Sequence, residues 1–246
     1  VVWVVLIFID LPVWQTFAAM AVPMAIELAG PFIAERKEGG TPWHPHHIAE
    51  RHGLLAIIAL GEGVIGTVAT ISASVEDKGW TLDAVMLGAT GTGLTFGMWW
   101  MYFLVPSATL LQRHRERSFF WGYGHMVVFA AIAATGAGLH VAAYFMEHKA
   151  HIGAVETVMT VAVPVAIYVV SLLVIYIRLA RRFTPLYGVM IAGTVAVLAA
   201  AVALAYLGLP MIHCLMMVMC APLVTVVGFE LRGHRHIDPM PGAALH

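Results

Sequence analysis

The fold is decided by the stretch Gly53-Leu-Leu-Ala-Ile-Ile-Ala-Leu-Gly-Glu-Gly-Val-Ile-Gly-Thr-Val-Ala-Thr-Ile-Ser-Ala73. Its roughly 20 residues, at about 1.5 Å each in a helix, are enough to cross a hydrocarbon core about 30 Å thick. Glu62 lies close to the middle of this stretch. A carboxylate at that depth costs several kcal/mol unless it is protonated, paired or hydrated, so Glu62 is predicted to mark a functional site. The alternative is a packing role, in which Glu62 bonds to a neighbouring helix.

The composition is that of an integral membrane protein. Hydrophobic residues make up 61% of the chain and charged residues 11%, and the mean hydropathy is +0.86. Soluble domains carry about 25% charged residues. A net charge of -1 gives no reason to expect a nucleic acid partner. Cys214 and Cys220 lie six residues apart in one apolar run, which implies no disulfide framework.

Hydropathy predicts an all-α, polytopic transmembrane helical bundle of about eight spans, occupying residues 1–230, and a cytoplasmic tail at 231–246. The chain opens inside an apolar run, so the first span is expected to be clipped and the sequence to be part of a longer protein. The predicted spans are 1–15, 16–34, 53–73, 81–104, 119–146, 153–177, 185–207 and 209–229.

Basic residues follow these spans in strict alternation. Two of the 13, Lys78 and Lys149, belong to one set of loops, and the other eleven belong to the opposite set. By the positive-inside rule the arginine-rich loops and both chain ends are predicted to be cytoplasmic. The arginine-rich runs would also attract anionic lipid head groups, which makes membrane lipids expected partners. The eleven are Arg36, Lys37, Arg51, Arg113, Arg115, Arg117, Arg178, Arg181, Arg182, Arg232 and Arg235.

Further ionisable residues near Glu62 define a candidate pathway. Glu27 also falls near the centre of its span. Two carboxyl groups close together cannot both ionise cheaply, and burial raises the pKa of each, so such a pair can bind a proton or a cation. Arg51 lies eleven residues before Glu62, within about 20° of the same helical face. His46 and Glu50 have the spacing of metal ligands, but an interfacial loop at head-group depth is the preferred interpretation.

Histidines in the fifth span are the remaining polar candidates. His125 and His140 are fifteen residues apart, a spacing that would suit two haems only if a second helix supplied a matching pair. None is found, so no haem, metal or other cofactor is expected. Both histidines are interpreted as helix-helix hydrogen-bonding partners or as members of a polar pathway with Glu62. The Met-rich run 211–220 is interpreted as packing.

The fourth span carries a stripe of small residues and an aromatic belt. Gly93 and Gly97 form a Gly-x-x-x-Gly pair that serves helix packing within the chain or a homo-oligomer equally well. Trp99, Trp100 and Tyr102 follow it, as at a membrane interface.

The segment His47-Ile-Ala-Glu-Arg-His-Gly-Leu-Leu-Ala-Ile-Ile-Ala-Leu-Gly-Glu-Gly63 resembles the signature of the bacterial low temperature requirement protein A family. Three further segments are similar to that family in order and spacing: Trp99-Trp-Met-Tyr-Phe103, Tyr123-Gly-His125, and Glu27 with Gly30-Pro31. Leu104 stands where the family commonly has an acid, and the family's amino-terminal helices are absent. The resemblance implies a bacterial inner-membrane protein linked by name to growth in the cold. It carries over Glu50, Arg51, Glu62, Trp99, Tyr102 and His125 as motif positions without assigned chemistry.

Two classes of function follow from these observations. The first is a proton- or cation-coupled transporter or channel-like protein for a small solute or ion, with a carboxylate site at the midplane. The second is a non-transporting structural or regulatory membrane protein, in which the buried acids fix helix packing. A haem or metal redox protein is a weaker third. No nucleophile-base set indicates an enzyme.

Overall fold

The computed structural model describes residues 2–9, 11–35, 42–181 and 183–232. Within these ranges the chain forms helices and connecting turns without a strand, which confirms the predicted all-α class. Seven of the helices are long and apolar enough to cross a membrane: α2, α3, α4, α6, α7, α8 and α9. The elements are α1 (Val2–Ile7), α2 (Val13–Glu35), α3 (Pro45–Lys78), α4 (Leu82–Leu104), α5 (Ser107–Arg113), a 3₁₀ turn (Arg115–Arg117), α6 (Ser118–Met146), α7 (Ala154–Ala180), α8 (Pro185–Tyr206) and α9 (Met211–Arg232).

The seven long helices coincide with seven of the eight predicted spans. In place of the first span, 1–15, the chain forms the six-residue α1, which at about 9 Å is too short to cross a membrane. The largest difference is at α3, which begins at Pro45 rather than near Gly53. Proline is favoured at the first helical position, where its missing N–H costs nothing. The segment 46–52, expected as an interfacial loop, is therefore the first two turns of α3.

The chain divides into two compact units, residues 1–44 and 45–246. In the first unit α1 packs on α2, and Trp3 Nε1 donates a hydrogen bond to Glu27 Oε1 at 2.5 Å. The second unit contains α3 to α9. Most of the predicted tail, from residue 233 onward, lies outside the described residues, so that boundary stays a prediction.

Helices of the second unit alternate in direction. The starts of α3 and α6 meet where His52 contacts His125, and their ends meet where Thr70 Oγ1 donates to the carbonyl of Leu139 at 3.1 Å, so these two helices are parallel. In α4, Gly88 faces Ile71 and Gly91 faces Thr67, so α4 runs opposite to α3. Tyr168 OH, in the middle of α7, donates to the carbonyl of Met98 on α4 at 2.6 Å. Tyr176, near the end of α7, contacts Tyr187 at the start of α8 and Phe229 near the end of α9. The helices α3, α6 and α8 run one way, and α4, α7 and α9 run the other.

Because of this alternation, the arginines of the second unit that the structure describes collect at one end of the bundle. Arg117, which precedes α6, donates a hydrogen bond to the backbone carbonyl of Arg178 at the end of α7. The opposite end carries Lys149, whose Nζ lies 2.7 Å from Glu147 Oε2. Hydrogen bonding to that carboxylate holds the pKa of Lys149 above its usual value. The charge asymmetry of the sequence is therefore an asymmetry between the two ends of the bundle.

Glycines of α4 serve packing within the chain, on two sides of the helix. A Cβ at Gly91 would lie 2.2 Å from Thr67 Oγ1 on α3. A Cβ at Gly93 would lie 2.4 Å from Met219 Sδ on α9, and one at Gly97 would lie 3.4 Å from Pro222. The small-residue stripe is thus occupied by α3 and α9, so the Gly-x-x-x-Gly pair is not free to form a homo-oligomer contact.

We expect cysteine labelling to reproduce the two ends of this bundle. In a background in which Cys214 and Cys220 are replaced by alanine, cysteines at positions 115 and 181 should react with an impermeant maleimide from one side only. A cysteine at position 149 should react only from the opposite side. Labelling of positions 115 and 149 from the same side would contradict the alternating arrangement.

Candidate functional site

Glu62 lies in the middle of α3, on a face of that helix that is exposed in the structure. Residues on this face recur at alternating spacings of three and four, which places them in one stripe along the helix. On either side of Glu62 the stripe is apolar, and Ile58 and Ile65 are 71% and 55% exposed. Its exposed members are Arg51, Leu55, Ile58, Glu62, Ile65, Ser72 and Glu76.

The backbone of Glu62 packs directly against α6. A Cβ at Gly136 would lie 2.7 Å from the Cβ of Glu62 and 2.8 Å from its carbonyl carbon. One turn further along, a Cβ at Gly66 would lie 2.7 Å from the carbonyl oxygen of Gly136. Only glycine permits this approach, so the two helices cross with their backbones in contact. The crossing fixes the rotation of α3 and leaves the Glu62 side chain exposed.

The carboxylate of Glu62 has no hydrogen-bond or ion-pair partner among the described residues. Arg51 shares its exposed face, as the eleven-residue spacing predicts. His125 does not, because its side chain is buried inside the second unit with 1% of its surface exposed. The structure therefore does not place Arg51, Glu62 and His125 on one track through the bundle interior.

Around His125 the structure assembles a cluster of rings, formed by His52, Tyr102, Trp121, His125 and Phe129, in which Tyr102, Trp121 and His125 are buried. The ring centre of His125 lies 4.2 Å from that of Trp121 and 5.1 Å from that of His52. Tyr102 and Phe129 lie 5.8 and 5.6 Å from it. Two nitrogen atoms of this ring cluster, His125 Nε2 and Trp121 Nε1, are buried without a hydrogen-bond partner in the described chain. Such unsatisfied buried groups are uncommon and call for an explanation.

Next to this cluster, a groove of about 540 Å³ opens between α3, the end of α4 and α5. It lies at the arginine-rich end of the second unit. Tyr102 connects the two features, because it lines the groove and also contacts His125. The polar residues of the groove are His46, Glu50, Tyr102, Ser107 and Thr109. Three of the sequence-predicted site residues, Glu50, Tyr102 and His125, thus come together here.

The remaining predicted residues lie elsewhere. His140 is half-buried, and its ring faces the α3–α6 crossing 3.5 Å from where a Cβ on Gly66 would lie. Trp99 and Trp100 are 43% and 49% exposed, as expected for a belt at a membrane interface. Glu27 is bonded to Trp3 within the first unit.

Sequence reasoning did not place His52 and Trp121 in a site. Trp121 precedes His125 by one helical turn, so their common face could be read from the spacing. His52 could not be placed, because its position opposite Trp121 depends on how α3 is aligned with α6.

The second unit alone has six of the seven long apolar helices and a charged surface confined largely to its ends, which defines a polytopic helical membrane protein. Residues 1–222 match the family described as bacterial low temperature requirement A protein. The chain belongs to this family, as the resemblance of the segment 47–63 predicted. No curated protein and no solved structure matches the chain.

We expect Gly136→Ala to destabilise the protein by about 1–3 kcal/mol, because the new methyl group would overlap Glu62 at the helix crossing. Gly122→Ala is the matched control on α6, since a Cβ there meets no atom within 4 Å. That control should be neutral or stabilising by up to about 1 kcal/mol, because alanine favours helix. Thermal unfolding in detergent would compare the two variants. Equal melting temperatures would contradict the close crossing.

Proposed function

We propose that this bacterial inner-membrane protein is a proton- or cation-coupled transporter or channel-like protein in which the carboxyl group of Glu62 binds the ion. The observation that supports the proposal is the place of Glu62: its carboxylate has no partner among the described residues and lies in an exposed, largely apolar face of α3.

Binding and release of an ion at Glu62 follow from the free-energy cost of an ionised carboxylate at that position. In contact with hydrocarbon the ionised carboxylate is expensive, whereas the protonated or ion-paired group is much cheaper. Release of the ion therefore requires contact with water or with a polar surface. A group that binds its ion in one environment and releases it in another has the property that coupled transport needs.

The two glycines beside Glu62 have different roles in this proposal. A Cβ on Gly61 would meet no atom within 4 Å, so Gly61 leaves open space next to the carboxylate. Gly63 is required for packing, because a Cβ there would lie 2.5 Å from Thr95 Oγ1 on α4. Access for an ion is therefore on the Gly61 side.

A small solute would enter at the groove between α3, α4 and α5, at the arginine-rich end of the bundle. The positive-inside rule assigns that end to the cytoplasmic side of a bacterial inner membrane. The groove combines apolar walls with a few polar groups, as small-molecule sites do. Glu50 supplies a carboxylate at its rim, and Tyr102 a hydroxyl.

A second function is favoured by the same face of α3. Apolar residues at spacings of three and four form the surface with which a helix packs on another helix. In this alternative the protein is structural or regulatory, and Glu62 bonds to a polar group of a partner subunit or of a second copy in a homo-oligomer. The alternative predicts that Glu62 contributes to assembly and leaves ion movement unaffected.

Replacing Glu62 by glutamine separates these functions. In proteoliposomes containing a pH-sensitive dye, Glu62→Gln should abolish any proton movement that the native protein supports, because an amide cannot carry the ion. Glu76→Gln is the matched control, since Glu76 lies near the end of the same exposed stripe and loses the same charge. We expect it to retain the native rate.

Folding and assembly of both variants should be measured by size-exclusion chromatography and thermal unfolding. Loss of an oligomer or of several kcal/mol of stability in Glu62→Gln, with ion movement unchanged, would support the structural function and overturn the proposal.

A further inference from the structure

We propose that the groove between α3, α4 and α5 binds an amphiphilic organic cation, a molecule with an ammonium group at one end and an apolar chain or ring at the other. The inference rests on the proposed function, because it names the class of solute that would enter at this groove. A carboxylate, two aromatic rings and an apolar wall lie side by side there, and together they support the proposal.

The charge of the lining favours a cation. Among the described residues that line the groove, Glu50 is the one carboxylate, and none is a lysine or an arginine. The Glu50 side chain is 70% exposed, and the 3.5 Å between its Oε2 and His47 Nδ1 is longer than a good hydrogen bond. The carboxylate is therefore accessible to a positively charged group of a solute.

Two aromatic rings lie next to this carboxylate. Gly53 follows Glu50 by one turn on the same side of α3, and a Cβ at Gly53 would lie 3.2 Å from Cε1 of Phe103. The ring of Phe103 therefore lies against α3 one turn beyond Glu50. The ring centre of Tyr102 is 5.1 Å from that of Phe103. Aromatic rings attract ammonium groups, and proteins recognise quaternary ammonium ligands with such rings.

Apolar residues continue the same side of α3 into the membrane. Leu54 and Ile57 line the groove beyond Glu50, and seven residues of helix place Ile57 about 10 Å from Glu50 along the axis. The groove thus has its carboxylate at the membrane surface and its apolar wall toward the hydrocarbon. An amphiphilic cation matches both parts. Ca²⁺ or Mg²⁺ does not, because each takes about six or more oxygen ligands.

This side of α3 also leads toward Glu62. Gly61 follows Ile57 by one turn, and a Cβ at Gly61 would meet no atom within 4 Å. The groove and the open space beside Glu62 therefore share one stripe of α3. A solute that moves along this stripe would reach Glu62, the ion-binding group of the proposed function.

Binding of hexyltrimethylammonium to the full chain, purified in detergent, would be measured by isothermal titration calorimetry against a blank of detergent alone. We expect saturable binding of one cation per chain. Hexanesulfonate has a chain of the same length and the opposite charge, and we expect it not to bind. Equal binding of the two probes, or no binding of the cation, would overturn the proposal.

Glu50→Gln should weaken binding of the cation about fivefold, because one accessible charge pair is lost. Phe103→Leu should weaken it about threefold, because the ring is replaced by a side chain without an aromatic face. The matched controls are Glu76→Gln, at the other end of α3, and Phe96→Leu, which removes an exposed ring of α4 outside the groove. Both controls should bind as the native protein does. Unchanged binding in Glu50→Gln and Phe103→Leu would overturn the site.

Proton movement, measured in proteoliposomes, separates this inference from the proposed function. Cation binding that depends on Glu50, without proton movement by the native protein, would overturn the proposed function and support the binding site. Proton movement that depends on Glu62, without cation binding, would overturn the binding site and support the proposed function.

Discussion

The contact on which the second unit depends is the crossing of α3 and α6 at Gly66 and Gly136, where the two backbones touch. At these two glycines the backbones can touch, whereas at other positions the side chains would hold the helices apart. The contact therefore fixes both the rotation of α3 and its alignment with α6. From that alignment the other features follow. Thr70 reaches the carbonyl of Leu139, and His52 comes to lie against Trp121 and His125. Glu62 is pressed against Gly136 by its backbone while its side chain remains outside.

Hydropathy and basic residues were enough to predict the helices, because both are local properties of the chain. The spans around Met98 and Tyr168 were predicted to within three residues of their helix ends, and the alternation of arginines agrees with the alternation of helix directions. The extension of α3 to Pro45 was missed because five of the seven residues from His46 to His52 are polar, and hydropathy detects the part of a helix that lies in the membrane, not the whole helix.

The exposed position of the Glu62 side chain and the contact between His52 and His125 could not be predicted in the same way. Both depend on a contact between segments some 70 residues apart, and nothing in α3 alone says which of its faces α6 will cover. Glycines were the available signal: Gly63 and Gly66 lie on one side of Glu62 in the sequence, and Gly136 lies on α6. The glycines of α4 predicted helix packing within the chain or in a homo-oligomer equally well, and their partner helices α3 and α9 became known only from the structure.

Buried polar groups of the second unit explain why the candidate ion site is on its outer face. Among the residues whose burial is described, no Asp, Glu, Lys or Arg side chain is buried. The buried polar groups include hydroxyls, the imidazole of His125 and the indole N–H of Trp121. Several hydroxyls, including Thr67, Thr95 and Thr135, bond to the carbonyl four residues earlier in their own helix. They are satisfied locally and offer little to a passing ion. A neutral imidazole can also be buried at modest cost, which a carboxylate cannot. The interior of this bundle therefore holds neutral polar groups. Within the described part of the second unit Glu62 is the only midspan carboxylate, and it lies on the face of α3 that the other helices of that unit do not cover.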